Sequence, residues 1–213
     1  KEWQAAQSVH IWVDDARSME FTGHKDRRSK ADRARLLSLA LSVLLIRAGE
    51  RVGLADPIAP PRPGEVQLMR LALTFTAPAG MAEYGAPDAR AILPHSRMVM
   101  VSDFLGSIIA VETAILQAAD KGVKGAVLQV LDPVEEAFPF DGRTIFESMG
   151  GAITHETRKA GDLRSRYLDR LAERKDRLAT LARTVGWVSS VHHSDQPAQL
   201  ALLWLYGALE RSR

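Results

Sequence analysis

Three short segments constrain this chain more than anything else in it: Ser8 to Asp14 (SVHIWVD), Arg97 to Asp103 (RMVMVSD), and Gly125 to Leu131 (GAVLQVL) followed by Asp132. Each is nearly continuously apolar, rich in β-branched residues, and closed by a carboxylate. Strands of that kind are covered on both faces, as in the interior of a parallel sheet. Between the first of them and a further short strand, Arg51 to Ala55, lies Ala31 to Ala48. That stretch is apolar on most sides through Leu36, Leu37, Leu39, Leu41, Val43, Leu44 and Leu45, with Arg47 in its last turn and Gly49 at the stop. Strand, buried helix and strand make a βαβ unit, whose crossover is right-handed in nearly all cases.

The other elements follow from punctuation and period. Asp56 to Glu65 holds four prolines and reads as a loop, Val66 to Leu73 as a helix, and Thr76 to Ser96 has no clean period. Ser107 to Lys121 is an expected helix. Arg143 to Ser148 and Ala152 to His155 are expected to pair as short strands around Gly150-Gly151. Thr157 to Val185 reads as a charged helix with Leu163, Tyr167, Leu171, Leu178 and Leu181 on one face, and Trp187 to His192 as the last strand. Ser194 or Asp195 is expected to cap a helix entered through Pro197, with Leu200, Leu203, Trp204 and Leu209 as its apolar face. Trp12, Trp187 and Trp204 are assigned to the core and Trp3 to an interface. The predicted architecture is one α/β domain over residues 1–213: a Rossmann-like, mostly parallel sheet with helices on both faces. The chain starts without an initiator Met or a signal peptide and reaches a strand within ten residues, which reads as a fragment lacking an upstream N-terminal region.

Composition removes several classes of function. The absence of cysteine excludes a disulfide scaffold, a cysteine nucleophile and thiolate metal sites. Lys and Arg number 28 against 26 Asp and Glu, a net +2 that pulls weakly on nucleic acid, so no nucleic-acid partner is expected. The longest apolar run, Leu36 to Ile46, is about half a bilayer span. No membrane span and a cytoplasmic location are expected. There is no glycine-rich phosphate loop, no G-x-S-x-G, and no second His after His155-Glu156. His192-His193 are adjacent on a strand and point to opposite faces. The basic stretch His24 to Arg35 and the arginine-rich Thr157 to Arg183 helix read as solvated surface.

In open parallel sheets ligands sit beyond the carboxyl ends of the strands, and Asp14, Asp15, Ser18, Asp103 and Asp132 fall there. The competing reading is that each Asp caps the next helix or turn. The frame Asp14, Ala16, Ser18 with a later Ser102-Asp103 resembles the metal-ion-dependent adhesion site of von Willebrand factor A domains, in which a strand ends in D-x-S-x-S. Here Ala16 replaces the first serine. Glu2 to Gln7 (EWQAAQ), Arg47 to Leu54 (RAGERVGL), Ser102 to Leu105 (SDFL) and Leu131 to Phe140 (LDPVEEAFPF) are, in order and spacing, similar to the bacterial domain-of-unknown-function 58 family, from Lys1 to about Leu209.

That resemblance implies a von Willebrand factor A-like fold and a degenerate adhesion site with Asp14, Ser18 and Asp103 as its remaining metal ligands. In related domains two serines and a threonine bind Mg²⁺ directly; Thr74 and Thr76 fall in the intervening region, but neither sits in a matching motif. Mg²⁺ requires near-octahedral oxygen coordination, so with ligands missing no tightly bound cofactor is expected and Mg²⁺ binding should be weak. Arg17 could substitute electrostatically by pairing with Asp15 or Asp103. The function implied is a non-enzymatic protein-protein interaction or adaptor domain acting with a MoxR-type AAA+ ATPase in chaperone-like assembly, with Asp15, Arg17 and Asp132 as partner contacts. The alternative is a metal-dependent hydrolase using the same carboxylates, for which no base or nucleophile is placed.

Overall fold

The computed structural model describes residues 6–55, 59–78, 80–142, 144–147, 149, 151, 154–157 and 161–211. Chain order is β1 (Ser8–Val13), a 3₁₀ turn (Arg17–Glu20), α1 (Lys30–Arg47), β2 (Arg51–Leu54), α2 (Glu65–Phe75), β3 (Arg97–Ser102), α3 (Ile108–Asp120), β4 (Lys124–Leu131) and α4 (Pro133–Ala137). It continues with β5 (Thr144–Glu147), β6 (Thr154–Thr157), α5 (Gly161–Thr184), β7 (Val188–His193) and α6 (Ala198–Arg211). Five strands pair in parallel in the order β2-β1-β3-β4-β7, and β5 and β6 form a separate antiparallel pair.

The continuous apolar pattern of β3 and β4 is explained by two cores. Val99, Val101, Ala126, Leu128 and Val130 meet α1, α2 and α6 on one face. Met98, Met100 and Val127 meet α3, α5 and Trp187 on the other. The sheet is thus sandwiched between helices, as the sequence predicts. Trp187 is buried, its Nε1 donates to Val123 O at 2.8 Å, and it lies so close to Gly125 that a Cβ there would sit 2.6 Å from the ring. Ser29 caps α1 by accepting from Asp32 N, and Ser107 caps α3 by accepting from Ala110 N.

Three expectations need correction. Leu200 and Leu203 are 60% and 70% exposed, whereas Ala201, Leu205 and Ala208 are buried beside Leu209. Trp204 and Leu209 pack on the core as expected, and the rest of the inward face is Ala201, Leu205 and Ala208, set against α1 and β4. Ser194 sends its hydroxyl to Asp132 at 3.1 Å. Thr157 closes β6, so the charged helix starts at Gly161. The β5–β6 pairing matches the expected short strands, although Arg143, Ser148, Gly150 and Ala152, like Trp3, lie outside the described residues. Among the described residues no helix is long and apolar enough to cross a membrane.

Candidate functional site at the carboxyl edge of the sheet

The strand order reverses direction between β1 and β3, and Asp14 and Asp103 directly follow those two strands. That crevice is the general ligand position of doubly wound sheets. Asp14 is buried; its Oδ1 accepts from Ala16 N at 2.9 Å and its Oδ2 from Ser102 Oγ at 2.6 Å. Burial raises the Asp14 carboxyl above its ordinary range, against the Ser102 and Ala16 hydrogen bonds and reinforced by the Asp103 and Asp15 charges. The loop over 80–96, in which the sequence shows no period, folds across this point. Arg17 N and Ser18 N donate to Ala82 O and Glu83 O. Gly85 lies so near that a Cβ would fall 2.2 Å from Asp14 Oδ1. Phe104 is held at φ 52°, its amide bound to Ser102 Oγ and its carbonyl to Arg174 Nη1.

The charge at Asp103 is answered from α1. Lys30 is 1% exposed, and its Nζ donates to Asp103 Oδ2 and to Glu135 Oε1, both at 2.7 Å. Burial works against this ammonium, but the Asp103 and Glu135 charges outweigh it and push its pKa above the ordinary value. The remaining oxygens are also occupied: Asp103 Oδ1 accepts from Leu105 N, and Glu135 Oε2 accepts from Asp132 N. A second ion pair stands next to the first. Asp132 is 0% exposed and accepts from Arg27 Nη1 at 3.1 Å on both oxygens and from Ser194 Oγ, while capping α4 through Val134 N. These donors outweigh the burial that would raise Asp132, and hold it below the usual carboxylate range.

The expected site residues therefore separate. Asp14 and Asp103 meet at one rim, and both also make the local turn contacts of the competing reading, as Asp132 does in its cap. Asp132 is wholly enclosed, so it cannot present its carboxylate to a partner as expected; Arg27 and Ser194 consume it instead. Asp15 is exposed. Arg17 Nη2 lies 3.6 Å from Met81 Sδ. Ser18 is buried, and its Oγ has no hydrogen-bond partner among the described residues. As a ligand set for Mg²⁺ the trio fits poorly: both oxygens of Asp14 and of Asp103 are engaged, and an ammonium already stands against Asp103. Among the described residues no three His, Asp or Glu side chains are grouped to hold a metal.

The family model described as "Protein of unknown function DUF58" matches residues 1–177. The chain belongs to DUF58. The DUF58 match stops within α5, short of the expected extent to about Leu209. No curated protein matches the chain. Two solved structures are similar to this DUF58 chain. One is an aerotolerance-related membrane protein from Bacteroides fragilis NCTC 9343 with multiple mutations to serines, at 14% identity and TM-score 0.49. The other is the conserved hypothetical protein BatB from Bacteroides thetaiotaomicron, at 15% identity and TM-score 0.46. Each alignment covers 97% of this chain and 100% of the other.

Sequence reasoning misses Lys30 and Arg27, because a basic run reads as solvated unless its period against the core is known. In this DUF58 chain, part of that run turns inward. Arg33 does so too, donating to Ser194 O and Gln196 O and lying 3.3 Å from His192 Nε2. Burial first, then Arg33, lowers the His192 pKa from 6.5 to about 4. The unfolded chain thus takes up this proton at higher pH than the folded one, and stability should fall as pH drops from 6.5 toward about 4. His192→Gln is expected to flatten that section of the Tm-against-pH profile; an unchanged slope would assign the loss to other groups.

Proposed function

We propose that this protein is a non-enzymatic interaction domain whose rim loops bind a protein partner, and that the Lys30 ammonium performs the electrostatic task a divalent cation performs in an intact adhesion site. The observation that carries this reading is the ammonium held between Asp103 and Glu135 at the switch point. Two carboxylates gathered there repel each other unless a cation lies between them, and here the chain supplies its own. A partner would engage the surface around exposed Asp15 and half-buried Arg17 by direct polar contact rather than through a shared ion. A MoxR-type AAA+ ATPase is the partner class that family membership favours. A hydrolase reading is weaker, because the buried carboxylates are already neutralised or hydrogen-bonded, and the hydroxyls that adjoin them, Ser102 and Ser194, are themselves buried away from a substrate.

Calorimetric titration with Mg²⁺ or Mn²⁺ is expected to give no dissociation constant below the millimolar range, and capture of a MoxR-type AAA+ ATPase from the same organism should survive EDTA. A submillimolar metal affinity, or capture abolished by chelation, would overturn the proposal. Turnover of generic phosphatase or esterase substrates on adding either metal would favour the hydrolase.

A further inference from the structure

Next to the Lys30 pair opens a cleft of about 660 Å³, within the range of natural ligand sites. Its walls come from the segments following β1, α2, β3 and β4 and from the first half of α5. Phe21, Tyr84, Phe138 and Tyr167 give it an aromatic lining; the Phe138 ring lies 5.1 Å from that of Tyr167 and 5.2 Å from that of Phe140. Phe138 is fixed at the end of α4 with φ 42°.

The charged side chains that line the cleft are Glu135, Arg166 and Arg170, and only the two arginines are free to meet a ligand. Among the described residues its one lining carboxylate, Glu135, has both oxygens engaged, by Lys30 Nζ and Asp132 N. From α5 it receives Leu163, Arg166, Tyr167 and Arg170, spaced i, i+3, i+4, i+7 and therefore one stripe of the helix. The acids Asp162, Asp169 and Glu173 border this stripe on the Arg166 side, three or four residues from the arginines, without forming an ion pair with either among the described residues. Arg166 and Arg170 are exposed, and among the described residues neither guanidinium pairs with a carboxylate. Burial, followed by the nearby charges of Glu135, Asp103 and Glu136, raises the Tyr167 phenol far above its ordinary pKa, so it stays protonated as a donor. Two uncommitted guanidinium groups and a protonated phenol over an aromatic floor match an acid joined to a bulky apolar group. Arg, Tyr and Phe are also residues typical of the energetic centres of protein interfaces.

We infer that this cleft receives a peptide segment of a protein partner in which a carboxylate side chain adjoins a large apolar one, Arg166 and Arg170 taking the acid and the aromatic floor the apolar group. This rests on the interaction-domain reading above and names the chemistry it selects. The probes are fluorescein-labelled ten-residue Gly/Ser peptides carrying Glu-Phe or Asp-Leu at the centre, with Gln-Phe, Glu-Ser and Lys-Phe as controls, followed by anisotropy on the full chain. Glu-Phe and Asp-Leu should bind at least tenfold more tightly than the controls. Arg166→Glu/Arg170→Glu, two exposed positions, should lose that preference and gain affinity for Lys-Phe. The inference is overturned if no peptide shows the preference, if charge reversal leaves it unchanged, or if only anionic phospholipid vesicles bind. ATPase capture by the charge-reversed protein separates the two claims: undiminished capture with peptide failure removes the cleft alone, whereas peptide selectivity without capture by the parent removes the ATPase.

Discussion

Lys30→Met is expected to cost about 3–5 kcal/mol of stability, because removing one member of a buried ion pair leaves its partner as an uncompensated charge. For a chain of this size that corresponds to a drop in Tm of roughly 6–20 °C. The substitution keeps an unbranched apolar stem out to the ε position, so packing changes little; what is lost is the charged Nζ between Asp103 and Glu135. The informative companion is Lys30→Met with Asp103→Asn and Glu135→Gln. Neutralising all three should recover most of the deficit, since isosteric replacement of a whole buried ionic group is often close to neutral. Chemical unfolding of the parent, single and triple variants checks this. A single variant within about 1 kcal/mol of the parent would show that the pair contributes little, comparable to an exposed one.

Asp132→Ala should cost about 3 kcal/mol. Loss of a helix cap contributes about 1 kcal/mol, and hydrogen bonds to a charged group contribute about 1.5–3 kcal/mol. The Arg27 side chain is a quarter exposed, so it can turn to solvent, and the penalty stays below that for Lys30. The effect should also spread: Asp132 ties Arg27 before α1 to Ser194 after β7, so hydrogen exchange in both loops is expected to rise in the variant. Exchange confined to α4 would reduce Asp132 to a cap alone.

The sheet was legible because burial on both faces leaves a distinctive uninterrupted apolar run, and β1, β3 and β4 all carry it. The carboxyl-edge position of Asp14 and Asp103 followed from the same runs. The parts that escaped depend on contacts distant in sequence. Lys30 lies 73 residues from Asp103, and nothing local distinguishes it from its solvated neighbours. Gly85 and Tyr84 come from a stretch without period, whose conformation is set by Asp14 and the cleft rather than by its own pattern. On α6 Trp204 and Leu209 pack on the core as read, but Leu200 and Leu203 were assigned to a face that Ala201, Leu205 and Ala208 occupy instead.

A counter-charge carried on a lysine side chain has a fixed stoichiometry and cannot diffuse away. Its ordering entropy is lost once, during folding, rather than at each encounter. The rim around Asp103 is therefore set for the lifetime of the folded chain, at any ionic composition.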